Sequence, residues 1–180
     1  KPRHCSFEDA ATLPVAYLTA HYALNHVARI RSGERVLIHA AAGGVGMAAI
    51  HLARRAGAEV FVTAGTRDKR DLLRSIGVEH VMDSRSLAFA DEILETTRGK
   101  GVDVVLNSLA GDALRKSLSI VGDYGRFIEI GKRDIYGNSR IGLKPFRKNV
   151  TFVAIDLDRA MRERSDEVAL VFQDVMGRLQ

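Results

Sequence analysis

The chain has 180 residues, about one domain's worth. Hydrophobic residues make up 46% and charged residues 27%, which excludes disorder and allows a sizeable core. Basic residues number 27 against 22 acidic, a net charge of +5; they are spread along the chain, and with 6% aromatics and no tryptophan they do not form the basic, aromatic-interleaved stripe of a nucleic-acid binder.

In chain order, Ser6 with Asp9 three residues on resembles a capping box, and Pro14 suits a first helical turn. Arg35 to Ala40 (RVLIHA) is a short apolar run expected to form a strand. Val45, Ala48, Ala49, Leu52, Ala53 and Ala56 then recur at helical spacing, and Gly57 ends that helix. Glu59 to Ala64 (EVFVTA) is β-branched and aromatic, hence a second strand. A helix carrying Leu72, Leu73 and Ile76 follows, stopped at Gly77. His80 to Met82 is a third strand, followed by a helix with Phe89, Ile93 and Leu94 that stops at Gly99. Val102 to Asn107 (VDVVLN) is the fourth strand, and Leu114 and Leu118 mark the next helix. Gly125 to Ile130 (GRFIEI) and Val150 to Ile155 (VTFVAI) complete six strands. Between them, Lys132 to Lys148 shows no period and is expected to be a loop. Val168, Val171, Phe172, Val175 and Leu179 form a last helical stripe.

Apolar runs with little alternation suit strands buried on both faces. The expected fold is therefore α/β, a Rossmann-type, doubly wound, mostly parallel six-stranded sheet with helices on both faces. Ligands of such sheets bind beyond the carboxyl ends of the strands.

Ala41-Ala42-Gly43-Gly44-Val45-Gly46 follows the first strand and opens the first striped helix. It reads as G-x-G-x-x-G with alanine in first place, a dinucleotide fingerprint in the right strand–turn–helix context. A small residue at Ala41 permits the tight turn. Gly43 lets backbone approach a pyrophosphate, and Gly46 lets the helix pack close to the strand. The helix start, through Gly44 and Val45, offers free N–H groups and the positive end of the helix dipole. At the end of the second strand an NAD enzyme carries Asp or Glu for the ribose 2′-hydroxyl. Here the sequence is Ala64-Gly65-Thr66-Arg67, with Lys69 and Arg70 following. Those donors suit a 2′-phosphate, so NADPH is the expected cofactor.

A single cysteine, Cys5, excludes an internal disulfide and a cysteine-based zinc cage, is expected to be inert, and fits a reducing compartment, here read as cytoplasmic. No apolar run of about 18 residues encodes a membrane span. No apolar segment follows Lys1-Pro2-Arg3-His4 as in a signal peptide, and no initiator methionine is present, so the chain reads as a piece of something longer.

Three stretches carry a family resemblance: Ala40 to Gly46 (AAAGGVG), Val102 to Ala110 (VDVVLNSLA) and Gly125 to Asp134 (GRFIEIGKRD). They resemble the enoyl reductase domains of modular polyketide synthases and animal fatty acid synthase, in the medium-chain dehydrogenase/reductase superfamily. Phe7 to Pro14 and Leu18-Thr19-Ala20 look like the approach to that family's nucleotide domain. The resemblance runs from about Phe7 to at least Asp158. It implies a lead-in helical segment over residues 1–30, linking from a substrate domain outside this chain, and an NADPH-binding domain over residues 31–180. Arg133 departs from the family, which often has Thr or Phe there.

The resemblance implies reduction of a 2-enoyl thioester on an acyl carrier protein, with other synthase domains as partners. Hydride goes from nicotinamide to the β-carbon, and charge develops on the thioester oxygen and α-carbon. Lys132 matches the proton donor, stabilising the enolate, and Asp158 matches its acidic partner; no metal is required. Lys69 and Arg85 match donors near the 2′-phosphate and adenine. Thr19, Asn107, Ser108 and Leu109 match loops near the nicotinamide ribose, and Gly131 precedes the lysine there. Other roles stay open: a solvated loop lysine for Lys132, a helix N-cap for Asp158. A free-standing NADPH quinone oxidoreductase and a non-catalytic NADPH-binding module are the alternatives. His39 and His51 are expected to be structural, and Lys144, Arg147 and Lys148 a solvated face rather than a carrier-protein contact. The Val150 to Ile155 edge is expected to pair in a homodimer, as is common in the superfamily.

Overall fold

The computed structural model describes residues 6–178. Cys5, Leu179 and the side chain of Asp9, on which the expected capping box rests, lie outside the described residues. Six strands form one sheet in the order β3-β2-β1-β4-β5-β6. They are β1 Arg35–Ile38, β2 Glu59–Ala64, β3 His80–Asp83, β4 Val102–Asn107, β5 Val121–Glu129 and β6 Thr151–Ala154. Every pairing is parallel. The order reverses between β1 and β4, the topological switch point of a doubly wound sheet.

Side-chain alternation explains why both faces are covered. Val36, Ile38, Val60 and Val62 point to one face, where α1 (Phe7–His21), α2 (Gly44–Arg55) and α3 (Arg67–Ser75) supply Ala20, Ala49, Leu52 and Leu73. Leu37, Phe61 and Phe127 point to the other, against Phe89 and Ile93 of α4 (Phe89–Thr96) and Leu114 and Leu118 of α5 (Asp112–Ser119). Period-2 side chains with no polar face are what two helical layers require. A smaller cluster of Leu18, Leu157, Val168 and Val171 joins α1 to α7 (Leu157–Glu163) and α8 (Ser165–Arg178). Gly57, Gly77 and Gly99 end α2, α3 and α4 with φ of 76°, 78° and 79°, as expected of helix stops. No helix among the described residues is long and apolar enough to cross a membrane.

Three expectations need correcting. Pro14 sits inside α1, not in its first turn; burial of Leu18 and Ala20 beyond it holds the helix together. β5 begins at Val121, four residues before the expected start. Gly122 and Gly125 make that stretch look like a turn, but it pairs with β4 across a register shift between Val102 and Val104. The region Lys132 to Lys148 is not plain loop: it holds α6 (Arg133–Tyr136) and a 3-10 turn, Lys144–Lys148.

Arg126 on β5 ties the sheet to the segment that enters β1. Its guanidinium donates to both carboxylate oxygens of Glu34 at 2.8 Å, and its Nε donates to the Ala28 carbonyl at 2.9 Å. Burial pushes the Glu34 carboxyl up, but hydrogen bonds from Arg126 and the Arg31 backbone reverse this and leave it below its ordinary value. Arg126→Ala strands a half-buried carboxylate, and is expected to cost about 3 kcal/mol in a urea-unfolding titration.

Candidate functional site

All six strands run the same way, so the turns after them collect along one edge of the sheet. Most of the residues expected at the site lie on these turns. After β1 the chain turns sharply, with Gly43 N–H bonded to the Ala40 carbonyl at 3.0 Å. The left-handed residue is Ala40, at φ 49°, rather than Ala41; Ala41 is fully buried against the Thr63 carbonyl. Gly43 is the N-cap of α2 in an extended conformation, and no side chain caps this helix. Its first N–H groups, from Gly44 on, therefore face outward without a side-chain acceptor, and both glycines are exposed. A Cβ on Gly46 would stand 2.5 Å from the Ala41 backbone. Gly46→Ala must push helix from strand, and is expected to lower stability by about 2–3 kcal/mol in thermal unfolding.

The ends of β2 and β3 carry the basic cluster. Thr66 is the N-cap of α3, its side chain accepting from the Lys69 N–H at 3.4 Å. Arg85 crosses over Gly65, where a Cβ would stand 3.2 Å from its Nε. Lys69 and Arg85 are exposed, and neither side chain has a carboxylate partner among the described residues. Arg70 is different: it pairs with Asp83 at 3.0 Å and donates to the Ala64 carbonyl at 3.2 Å. Arg67 pairs with Asp71, at 3.6 Å, and not with Asp68.

At the switch point, Asn107 is buried and lies beside Glu129 in the β4–β5 register. Its amide nitrogen donates to the Leu109 carbonyl at 2.7 Å and to Glu129, and its oxygen accepts from the Leu109 N–H at 3.3 Å. Ser108 at the tip is exposed. Glu129, 2% exposed, also accepts from the Gly131 N–H at 2.5 Å. Burial pushes its carboxyl up from 4.5 to about 7, against the pull of its hydrogen bonds to Asn107 and Gly131. The folded chain thus holds this proton more tightly than the unfolded one. Stability present below about pH 4.5 should fall as pH rises through about 7, and Glu129→Gln should remove that slope; urea titrations at about pH 5 and about pH 8 measure it.

Lys132 follows Gly131, and its ammonium lies between two carboxylates. Nζ is 3.0 Å from Asp158 and 3.2 Å from Asp156. Hydrogen bonds to Asp158, then Asp156, hold it above the ordinary lysine value, so it is cationic. Asp156 also accepts from the Tyr136 hydroxyl at 2.9 Å and from the Arg159 N–H at 3.2 Å. The Tyr136 bond leads in taking its carboxyl down to about 2. The N-cap of α7 is therefore Asp156, not Asp158, which stands inside the helix and is free to reach the lysine. Gly131, Lys132, Tyr136, Asp156 and Arg159 line a cleft of about 310 Å³.

Asp156, Tyr136 and Glu129 were not among the residues singled out from sequence. Glu129 did have a signal: an acid between Ile128 and Ile130 in a buried strand must have a partner. Thr19 lies on α1, not on a strand-end loop, and donates to its own helix, to the Val15 carbonyl at 2.7 Å. His39 is buried between the hydroxyls of Thr63 and Ser117, each at 2.8 Å, and burial takes it down to about 3, hence neutral. His51 meets the Tyr17 hydroxyl at 3.1 Å. Lys148 is not a free surface cation, because it donates to the Val121 carbonyl at 3.0 Å.

Residues 44–172 match the family described as zinc-binding dehydrogenase. Phthioceranic/hydroxyphthioceranic acid synthase of Mycobacterium tuberculosis is 52% identical over 169 residues, covering 94% of this chain and 8% of the synthase. The nucleotide-binding subdomain of the enoylreductase domain of PpsC from Mycobacterium tuberculosis has 48% identity and a TM-score of 0.89, with 93% of each chain covered. CurK enoyl reductase has 44% identity and a TM-score of 0.86, over 99% of this chain and 53% of that one. The chain thus spans about half of that reductase and 8% of the synthase. Fold and site define the nucleotide-binding class of α/β domain. The chain belongs to the polyketide synthase enoyl reductases of the medium-chain dehydrogenase/reductase superfamily, matching their nucleotide-binding subdomain. The zinc in the family's description has no donor set here: no group of three or more His, Cys, Asp or Glu among the described residues could hold a metal ion.

Proposed function

We propose that this chain is the cofactor-holding part of an NADPH-dependent enoyl reductase that acts on a 2-enoyl thioester presented by an acyl carrier protein. The observation that carries this reading is one sheet edge bearing both an uncapped glycine-turn helix and a lysine set between two carboxylates. Gly43, Gly44, Val45 and Gly46 hold the pyrophosphate, with Ala41 seating the turn. Thr66, Lys69 and Arg85 hold the 2′-phosphate side. Asn107, Ser108, Leu109 and Gly131 flank the nicotinamide ribose, as does Thr19 of α1. Residues 1–30 lead in from the substrate-binding part. When bound, NADPH supplies hydride for the β-carbon. Lys132 stabilises the charge that develops on the thioester oxygen and supplies the α-carbon proton, while Asp158 and Asp156 aim its ammonium. The exposed edge strand β6 pairs with a second copy across a two-fold axis. The protein works in the cytoplasm beside the other domains of its synthase.

Fluorescence titration of the chain with NADPH and with NADH tests the cofactor. NADPH is expected to bind at least about tenfold more tightly, since a phosphate gains charge-assisted hydrogen bonds from Lys69 and Arg85. Equal or tighter NADH binding would overturn the phosphate reading. The chain alone should show little or no turnover of crotonyl thioester, and the full-length synthase should reduce it.

A further inference from the structure

Glu129 is a buried acid in a strand where an apolar residue would pack at less cost. Its carboxylate reaches two separate turns. One oxygen takes the Gly131 N–H, at the step that delivers Lys132. The other takes the Asn107 amide, which in turn grips both the N–H and the carbonyl of Leu109. Position 131 is shaped for this contact, because a Cβ there would stand 2.7 Å from the Glu129 carboxylate. The Glu129 backbone carbonyl also accepts from the Ile155 N–H at 2.8 Å, next to Asp156. One residue thus meets the turn after β4, the turn after β5 and the strand end that brings the acidic partners.

We infer that Glu129 is a positioning residue that locks the Asn107–Leu109 turn and the Gly131–Lys132 step into one unit. Its bearing on catalysis rests on the proposed function; the mechanical coupling does not. The charged group that acts on it through space is Asp134. Asp134 is itself a second tether between the same turns, accepting from the Gly111 N–H at 2.8 Å and the Ser139 hydroxyl at 2.7 Å.

Amide NMR of the cofactor-free chain, followed from about pH 5.5 to about pH 8.5, tests the coupling. Gly131 and Leu109 should shift with a common midpoint. Glu129→Gln should abolish both shifts. Asn107→Ala should abolish the one at Leu109 and keep the one at Gly131. Asp134→Asn should leave them coupled. A Leu109 signal that ignores Gly131, or still follows it in Asn107→Ala, would overturn the proposal. In the full-length synthase Glu129→Gln, which puts a donor against a donor, should lower kcat about tenfold and change the KM for NADPH much less. If the amides titrate together but NADPH does not bind, the functional reading fails and the positioning role stands. If NADPH binds and the amides are uncoupled, the reverse holds.

Discussion

Lys132→Ala in the full-length synthase is expected to slow enoyl thioester reduction by about 10²–10⁴-fold, with NADPH affinity nearly unchanged. Two effects add. The cation that offsets the developing enolate charge is lost, and Asp156 and Asp158 remain, facing that charge with their own. Stopped-flow oxidation of NADPH with crotonyl thioester reads the rate, and nucleotide titration reads the affinity. Turnover within about threefold of wild type would remove Lys132 from the chemistry. The two acids separate by a second measurement. Asp156→Ala also removes the cap of α7 and should cost about 1 kcal/mol in stability, whereas Asp158→Ala should slow reduction with no such loss.

Lys69→Ala combined with Arg85→Ala should weaken NADPH binding by about 10²-fold and NADH binding by less than about threefold. Among the described residues the two cations have no carboxylate partner to leave stranded, so removing them should not disturb the fold. Rising salt should weaken NADPH binding in the wild-type chain and much less in the double variant. Arg70→Ala is the contrasting case. Its ion pair with Asp83 and its bond to Ala64 tie β2 to β3, so its loss should appear in unfolding rather than in cofactor choice. Equal loss of NADPH and NADH affinity in the double variant would mean that these residues support the site generally and do not read the phosphate.

Strand content was most legible in the central strands, which are largely buried on both faces. EVFVTA and VDVVLN read as mostly apolar runs with little alternation and are β2 and β4 to the residue. The glycine turn was legible for a similar reason: its needs are local. Gly46 is required by the approach of Ala41, five residues away. Where local signals conflicted, the reading went wrong. Gly122 and Gly125 hid the start of β5, because their punctuation outweighs Val121 when the bulge against β4 is unseen. Lys148 looked like part of a solvated cluster because the carbonyl that takes it belongs to Val121, 27 residues earlier.

The sequence alone determined the class of fold, the position of the glycine turn and the missing acid after β2, since each depends on neighbours within a turn or a strand. Tertiary structure decided which charges meet. Lys132 and Asp158 are 26 residues apart, and only the pairing of β5 with β6 sets them at one edge. That pairing also brings Asp156 to the lysine, while the local bond from the Arg159 N–H makes Asp156, rather than Asp158, the cap of α7. A buried carboxylate such as Glu129 is tolerable only where folding adds a donor from the neighbouring strand, Asn107, to the local Gly131 N–H, and no spacing in a linear chain records which distant donor that will be.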